Sequence, residues 1–193
     1  MGKECVTVGE SLRQVLWGEL LTVVSLVASD VGRGLMVTPL VWLGGLVGIV
    51  SMGMIILGLA GAAGVRSGYR KALICVVAEL ALSVIISFVP DLGKGILSIL
   101  MALAACAGVW FVCGSTEELL REEEEWDGNA GFVWKFYAVG SILTSIAYAL
   151  FVYSPWLPWG RLPVMLIAPS LQIVVLFVYL HFLDKSQHTL RGK

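Results

Sequence analysis

Residues 37–63 read VTPLVWLGGLVGIVSMGMIILGLAGAA, without one charged side chain. A helix rises 1.5 Å per residue, so crossing about 30 Å of hydrocarbon takes about 20 residues. This stretch is long enough, and its Pro39 sits in the first turn, where a missing N–H does no harm. It reads as a transmembrane helix. Five further segments qualify or nearly qualify: 11–29, 70–89, 95–113, 132–153 and 163–183. Pro90 closes the third of the six segments, Pro163 opens the last, and Pro169 lies inside the last, where it is expected to kink the helix.

The composition agrees. Of 193 residues, 58% are apolar and 14% charged, and the mean hydropathy is +0.89. Soluble domains run about 45–50% apolar and about 25% charged. The fold class that follows is an all-α integral membrane protein, a six-helix transmembrane bundle whose first partner is the lipid bilayer. A net charge of −1 offers no basic excess for nucleic acid. Cys5, Cys75, Cys106 and Cys113 form no C-x-x-C pair, so neither a disulfide framework nor a zinc site is expected. Asn129, the only Asn, is followed by Ala-Gly and makes no glycosylation sequon. The N-terminal region balances Glu4 and Glu10 against Lys3 and Arg13, a poor signal peptide, so residue 1 reads as the start of the mature protein.

Lys and Arg set the expected orientation. With six spans and the N-terminus inside, Lys3, Arg13, Arg66, Arg70, Lys71, Arg121, Lys135, Lys185, Arg191 and Lys193 face inward, and Arg33, Lys94 and Arg161 face outward. Ten against three is a positive-inside split, with both termini cytoplasmic. Trp42, Trp156 and Trp159 then fall at the outer interface, and Trp110, Trp126 and Trp134 at the inner one. Short loops and the missing sequon suit a prokaryotic plasma membrane.

The first segment is the weak one. Its Leu and Val residues contribute about −0.3 to −0.6 kcal/mol each on an insertion scale, against roughly +2.5 kcal/mol for a central acid such as Glu19. The rival reading is five spans plus an amphipathic helix on the inner surface.

Two turns look alike. Asp30-Val31-Gly32-Arg33-Gly34-Leu35 follows the first segment, and Asp91-Leu92-Gly93-Lys94-Gly95-Ile96 follows the third. Upstream, Gly18-Glu19-Leu20 matches Ala78-Glu79-Leu80. The reading is a repeated in–out–in helical hairpin, over 11–63, 70–113 and, more divergent, 132–183.

Glu19 and Glu79 carry the functional question. Each lies eight or nine residues from the inner end of its segment, which is about 12–14 Å deep and close to the midplane. Ser83 and Ser87 share a helix face with Glu79, while Thr22 and Ser25 lie on a small polar stripe beside Glu19. The fifth segment adds Ser141, Thr144, Ser145 and Tyr148. The candidate polar site is therefore Glu19, Glu79, Thr22, Ser25, Ser83, Ser141 and Thr144. Intramembrane acids bind a cation or proton in a cavity, or sit protonated and hydrogen-bonded to Ser or Thr on a neighbouring helix. If its segment does not cross, Glu19 is interfacial. By contrast, Gly44-x-x-x-Gly48 and Ser51 make a groove for close helix packing.

Residues 115–128 form an acidic segment on the inner side. Ser115 and Glu118 have capping-box spacing, which suggests a short helix over 116–126 or an extension of the fourth span. Such a charge run is ordinarily a solvated face. The sharper reading is a docking site, with Glu122, Glu123, Glu124 and Glu125 meeting a basic partner and Leu119, Leu120 and Trp126 supplying its apolar side. Residues 184–193 read as a tail.

No Walker A, H-E-x-x-H, G-x-S-x-G or S-x-x-K pattern occurs. His181 and His188 have ligand spacing to nothing. No enzymatic role, cofactor or metal is expected. Two functions compete: permeation of a small solute, cation or proton through a polar bundle interior, and an accessory or sensor protein that binds other membrane proteins or itself.

Overall fold

The computed structural model describes residues 2–122, 130–152 and 161–191. They form six helices: α1 (Gly2–Gly34), α2 (Thr38–Ala62), α3 (Ser67–Ile86), α4 (Asp91–Glu122), α5 (Ala130–Ala147) and α6 (Arg161–Arg191). A π-helical turn, Tyr148–Val152, prolongs α5. Pro169 lies inside α6, as its sequence requires. The chain is an all-α membrane bundle, in which α1, α2, α4, α5 and α6 are long and apolar enough to cross a bilayer.

The first segment qualifies as a span, and the helix left outside that set is α3. Arg70, Lys71 and Glu79 fall within its 20 residues. Yet α3 runs the height of the bundle. Near its start, Tyr69 shares a 2.8 Å hydroxyl hydrogen bond with Thr116, late in α4. At its end, Ile86 borders the same cavity as Ser98, early in α4. Twenty residues of helix cover the intervening distance of about 30 Å. Gly9 of α1 lies against Gln187 and Arg191 of α6, so both chain ends share one end of the bundle. Six traverses satisfy that closure. Below, this is the terminal end, and the opposite one is the far end.

α1 does not lie along a surface. It packs down the length of α2, through glycines that leave no room for a side chain. A Cβ on Gly58 would come within 2.7 Å of the Ser11 carbonyl oxygen, and one on Gly32 within 2.8 Å of the Val41 nitrogen. Between them, Gly44 meets the backbone at Ser25 and Ser29, as its small-residue groove predicts. Hydroxyls staple the seam. Ser25 donates to the Gly44 carbonyl at 2.7 Å, and Ser51 donates to the Gly18 carbonyl at 2.9 Å.

Three helices overrun their apolar segments. α1 begins at residue 2, α4 reaches 122 and α6 reaches 191. The extensions pack on one another at the terminal end, where Val8, Leu12, Leu120, Leu183 and Leu190 are buried with Tyr69 and Tyr179. Residues 184–191 are thus helical and seated, where the sequence suggested a tail. Ser115 is buried in mid-helix and caps nothing, because α4 continues unbroken through it.

The two look-alike motifs fall on opposite sides of their turns. Residues 30–35 finish α1, whereas residues 91–96 open α4. After the first, Leu35 N–H bonds the Val31 carbonyl and Val37 N–H bonds the Gly32 carbonyl, with Met36 left-handed at φ 57°. That is a Schellman closure, with Met where glycine is usual. Before the second, Pro90 offers its carbonyl to Lys94 N–H at 3.0 Å and so starts a helix. The motifs are not equivalent in structure, so their likeness does not align the two hairpins.

Candidate functional site

The polar residues of α5 fall into register on one face. Tyr137, Ser141, Thr144 and Tyr148 are spaced four, three and four apart, a single helical stripe. All four border a partly open cavity of about 390 Å³. Opposite them stand Glu79 and Ile86 of α3, while Ser98, Met101, Ala102 and Ala105 of α4 give the cavity its width. α6 contributes Ala168, Pro169 and Gln172. The cavity runs from the middle of the bundle into its far half. Its volume suits a small organic ligand, for which sites run about 300–1,000 Å³.

A second chamber, of about 40 Å³, lies next to it toward the terminal end. Both Glu19 and Glu79 border it, with Tyr137, Tyr179, Val15, Leu59 and Val112. Glu79, Ala105 and Tyr137 belong to both spaces and therefore form their junction. The chamber is large enough for one or two waters or a small cation. Glu19 and Glu79 lie within electrostatic reach of one another. Both are half-buried, and neither forms an ion pair among the described residues. Beyond the chamber the packed core of the terminal end closes the path.

The remaining polar atoms are unevenly satisfied. Gln172 Nε2 donates to Ser141 Oγ at 3.5 Å. Thr144 Oγ1 is buried with no hydrogen-bond partner among the described residues. In an α-helix a threonine hydroxyl readily bonds the carbonyl one turn back; here it does not, and its oxygen is enclosed in the wall unpaired. Tyr137 packs edge-on to Tyr179, with ring centroids 5.8 Å apart. Two tyrosines and two glutamates thus border the small chamber, a composition that suits a cation.

Of the seven residues of the candidate polar site, four border these two adjoining spaces: Glu19, Glu79, Ser141 and Thr144, with Ser145 and Tyr148 beside them. Thr22 and Ser25 turn away from Glu19 into the α1–α2 seam, where Thr22 Oγ1 lies 2.5 Å from Ser51 Oγ. Ser83 bonds back to its own helix at the Leu80 carbonyl, 2.7 Å away. Sequence reasoning passed over Tyr137 and Gln172. The signal for Tyr137 was its place at the head of the α5 stripe, and for Gln172 its amide within an apolar span.

The acidic segment changes character. Glu122 is exposed and paired with Arg66, and Glu117 pairs with Arg121 at 2.7 Å. Leu119 and Leu120 are buried in the core and offer a partner nothing. Two of the three residues of the expected apolar side are therefore corrected: Leu119 and Leu120 belong to the core of the terminal end. Glu123, Glu124, Glu125 and Trp126 lie outside the described residues.

Among the described residues no group of three or more His, Cys, Asp or Glu is placed to hold a metal ion. The four cysteines are free thiols. The chain matches no protein-family model, no curated protein and no solved structure.

Proposed function

We propose that this protein passes a small cation or a proton through its bundle interior, with Glu79 as the residue every ion meets. The observation that carries the reading is the shared chamber: two carboxyls from different helices face one interior space that continues into a larger, partly open cavity. An intramembrane acid is costly to keep unless it works or is satisfied. Here neither acid has a cationic side chain to satisfy it among the described residues. Access from one half and tight packing in the other suit a carrier that opens to each side in turn rather than a standing pore. The positive-inside bias supports an orientation with the terminal end in the cytoplasm and the cavity toward the outside.

Flux in reconstituted vesicles tests this. Wild-type protein moves protons or a small monovalent cation faster than empty vesicles do, and Glu79→Gln removes the difference. Equal flux in wild type, Glu79→Gln and empty vesicles overturns the reading. The accessory-protein alternative draws less support, because Leu119 and Leu120 of the acidic segment are taken up by the core.

A further inference from the structure

A third space lies on the outside of the bundle, between α5 and α6. It is an almost wholly apolar groove of about 260 Å³, bordered by Leu143, Ala147, Ile167 and Leu171 among others. Thr144 and Ala168 border both this groove and the large cavity that holds Glu79. The groove and the cavity are therefore separated by one thin wall, and the unpartnered Thr144 hydroxyl is enclosed within that wall. The helices on either side are both irregular here. α5 passes into its π-helical turn at Tyr148, and α6 carries Pro169. Each is a place where a helix gives most easily.

The geometry points to a lipid-side portal, and to an amphipathic organic cation as the molecule this site takes. The inference rests on the cation reading above and narrows it. The charged amine lies at Glu79 beside Tyr137, the hydrocarbon tail lies in the groove between α5 and α6, and the polar neck crosses the wall at Thr144, whose hydroxyl is freed as the two helices part. The two spaces match the two halves of such a molecule in polarity. A bare metal ion or a proton uses the chamber but gives no reason for an apolar groove joined to it. A neutral lipid tail fits the groove but gives no reason for an acid at the inner end.

The test uses the full chain in phospholipid nanodiscs and a decylamine probe with a photoreactive diazirine at the tail end. On illumination, wild-type protein is labelled chiefly at Leu143, Ala147, Ile167 and Leu171, read by peptide mass spectrometry. Excess tetramethylammonium, which has a head and no tail, suppresses that labelling. Glu79→Gln lowers it about tenfold, the factor for losing a hydrogen bond to a charged group. Ala147→Trp, on the lipid-facing side and away from the acid, removes the tail labelling but leaves tetramethylammonium binding intact. Labelling spread evenly over lipid-facing helices, or unmoved by Glu79→Gln and tetramethylammonium, overturns the proposal. If tetramethylammonium still binds in a Glu79-dependent way, only the amphiphile inference falls. If no cation binds in that way, the cation reading falls with it.

Discussion

Two threonines show how a hydroxyl is used in this bundle. Thr116 is buried at the terminal end and shares its hydroxyl with Tyr69 at 2.8 Å. Thr144 keeps its hydroxyl enclosed and unshared within the wall between cavity and groove. The same substitution, Thr→Val, should therefore have opposite consequences. Thr116→Val strands the Tyr69 phenol and should cost about 1–3 kcal/mol, read as a lower unfolding midpoint in detergent. Thr144→Val strands nothing in the resting protein and should be neutral or stabilising. It should also weaken cation binding in nanodiscs. Equal destabilisation by both variants would mean that Thr144 has a structural partner, and would remove its role on the cavity wall.

Among the elements, the α1–α2 seam tests the packing account. Gly58 faces Ser11 and Val15 so closely that any Cβ must displace backbone, whereas nothing lies within 4 Å of a Cβ on Gly45. Gly58→Ala should destabilise by about 1–3 kcal/mol, as overpacking does. Gly45→Ala should be neutral or stabilise by up to about 1 kcal/mol, from helix propensity alone. Thermal unfolding in detergent reads both, and a stable Gly58→Ala would contradict the seam. This groove was legible in Gly44-x-x-x-Gly48, because close helix approach leaves a local signature. The α5 stripe was partly legible for the same reason, since its spacing lies within one helix. Three features were not. The partner of Thr22 and Ser25 depends on how α1 is rotated against α2, which a stripe of small polar residues does not specify. The burial of Leu119 and Leu120 depends on three extensions from distant parts of the chain meeting at one end. The look-alike turns misled because Gly and a lone cation suit the end of one helix and the start of another equally well.

At the scale of the whole molecule, the bundle is packed at one end and hollow toward the other. Tyr69, Tyr179, Leu12, Leu59, Leu120 and Leu183 fill the terminal end. Small and polar residues of α4 and α5 leave the far half open around Glu79. The exposed pair Arg66–Glu122 crosses from the α2–α3 turn to the end of α4 at the packed end. It contributes about 0–1 kcal/mol and is no latch by itself. A carrier built this way must loosen that packed end to release its cargo. On the carrier reading, one interior space is reached from one side and Glu79 sets its field. Thiol accessibility tests it directly. With Cys5, Cys75, Cys106 and Cys113 replaced, Ser98→Cys and Ser145→Cys are treated in sealed vesicles with cationic and neutral thiol reagents of equal size. Both positions should react from one side only, faster with the cationic reagent, and Glu79→Gln should cut that preference about tenfold, equivalent to about 1.4 kcal/mol. Reaction no faster than at lipid-facing Leu143→Cys, or a charge preference that survives Glu79→Gln, would contradict the account.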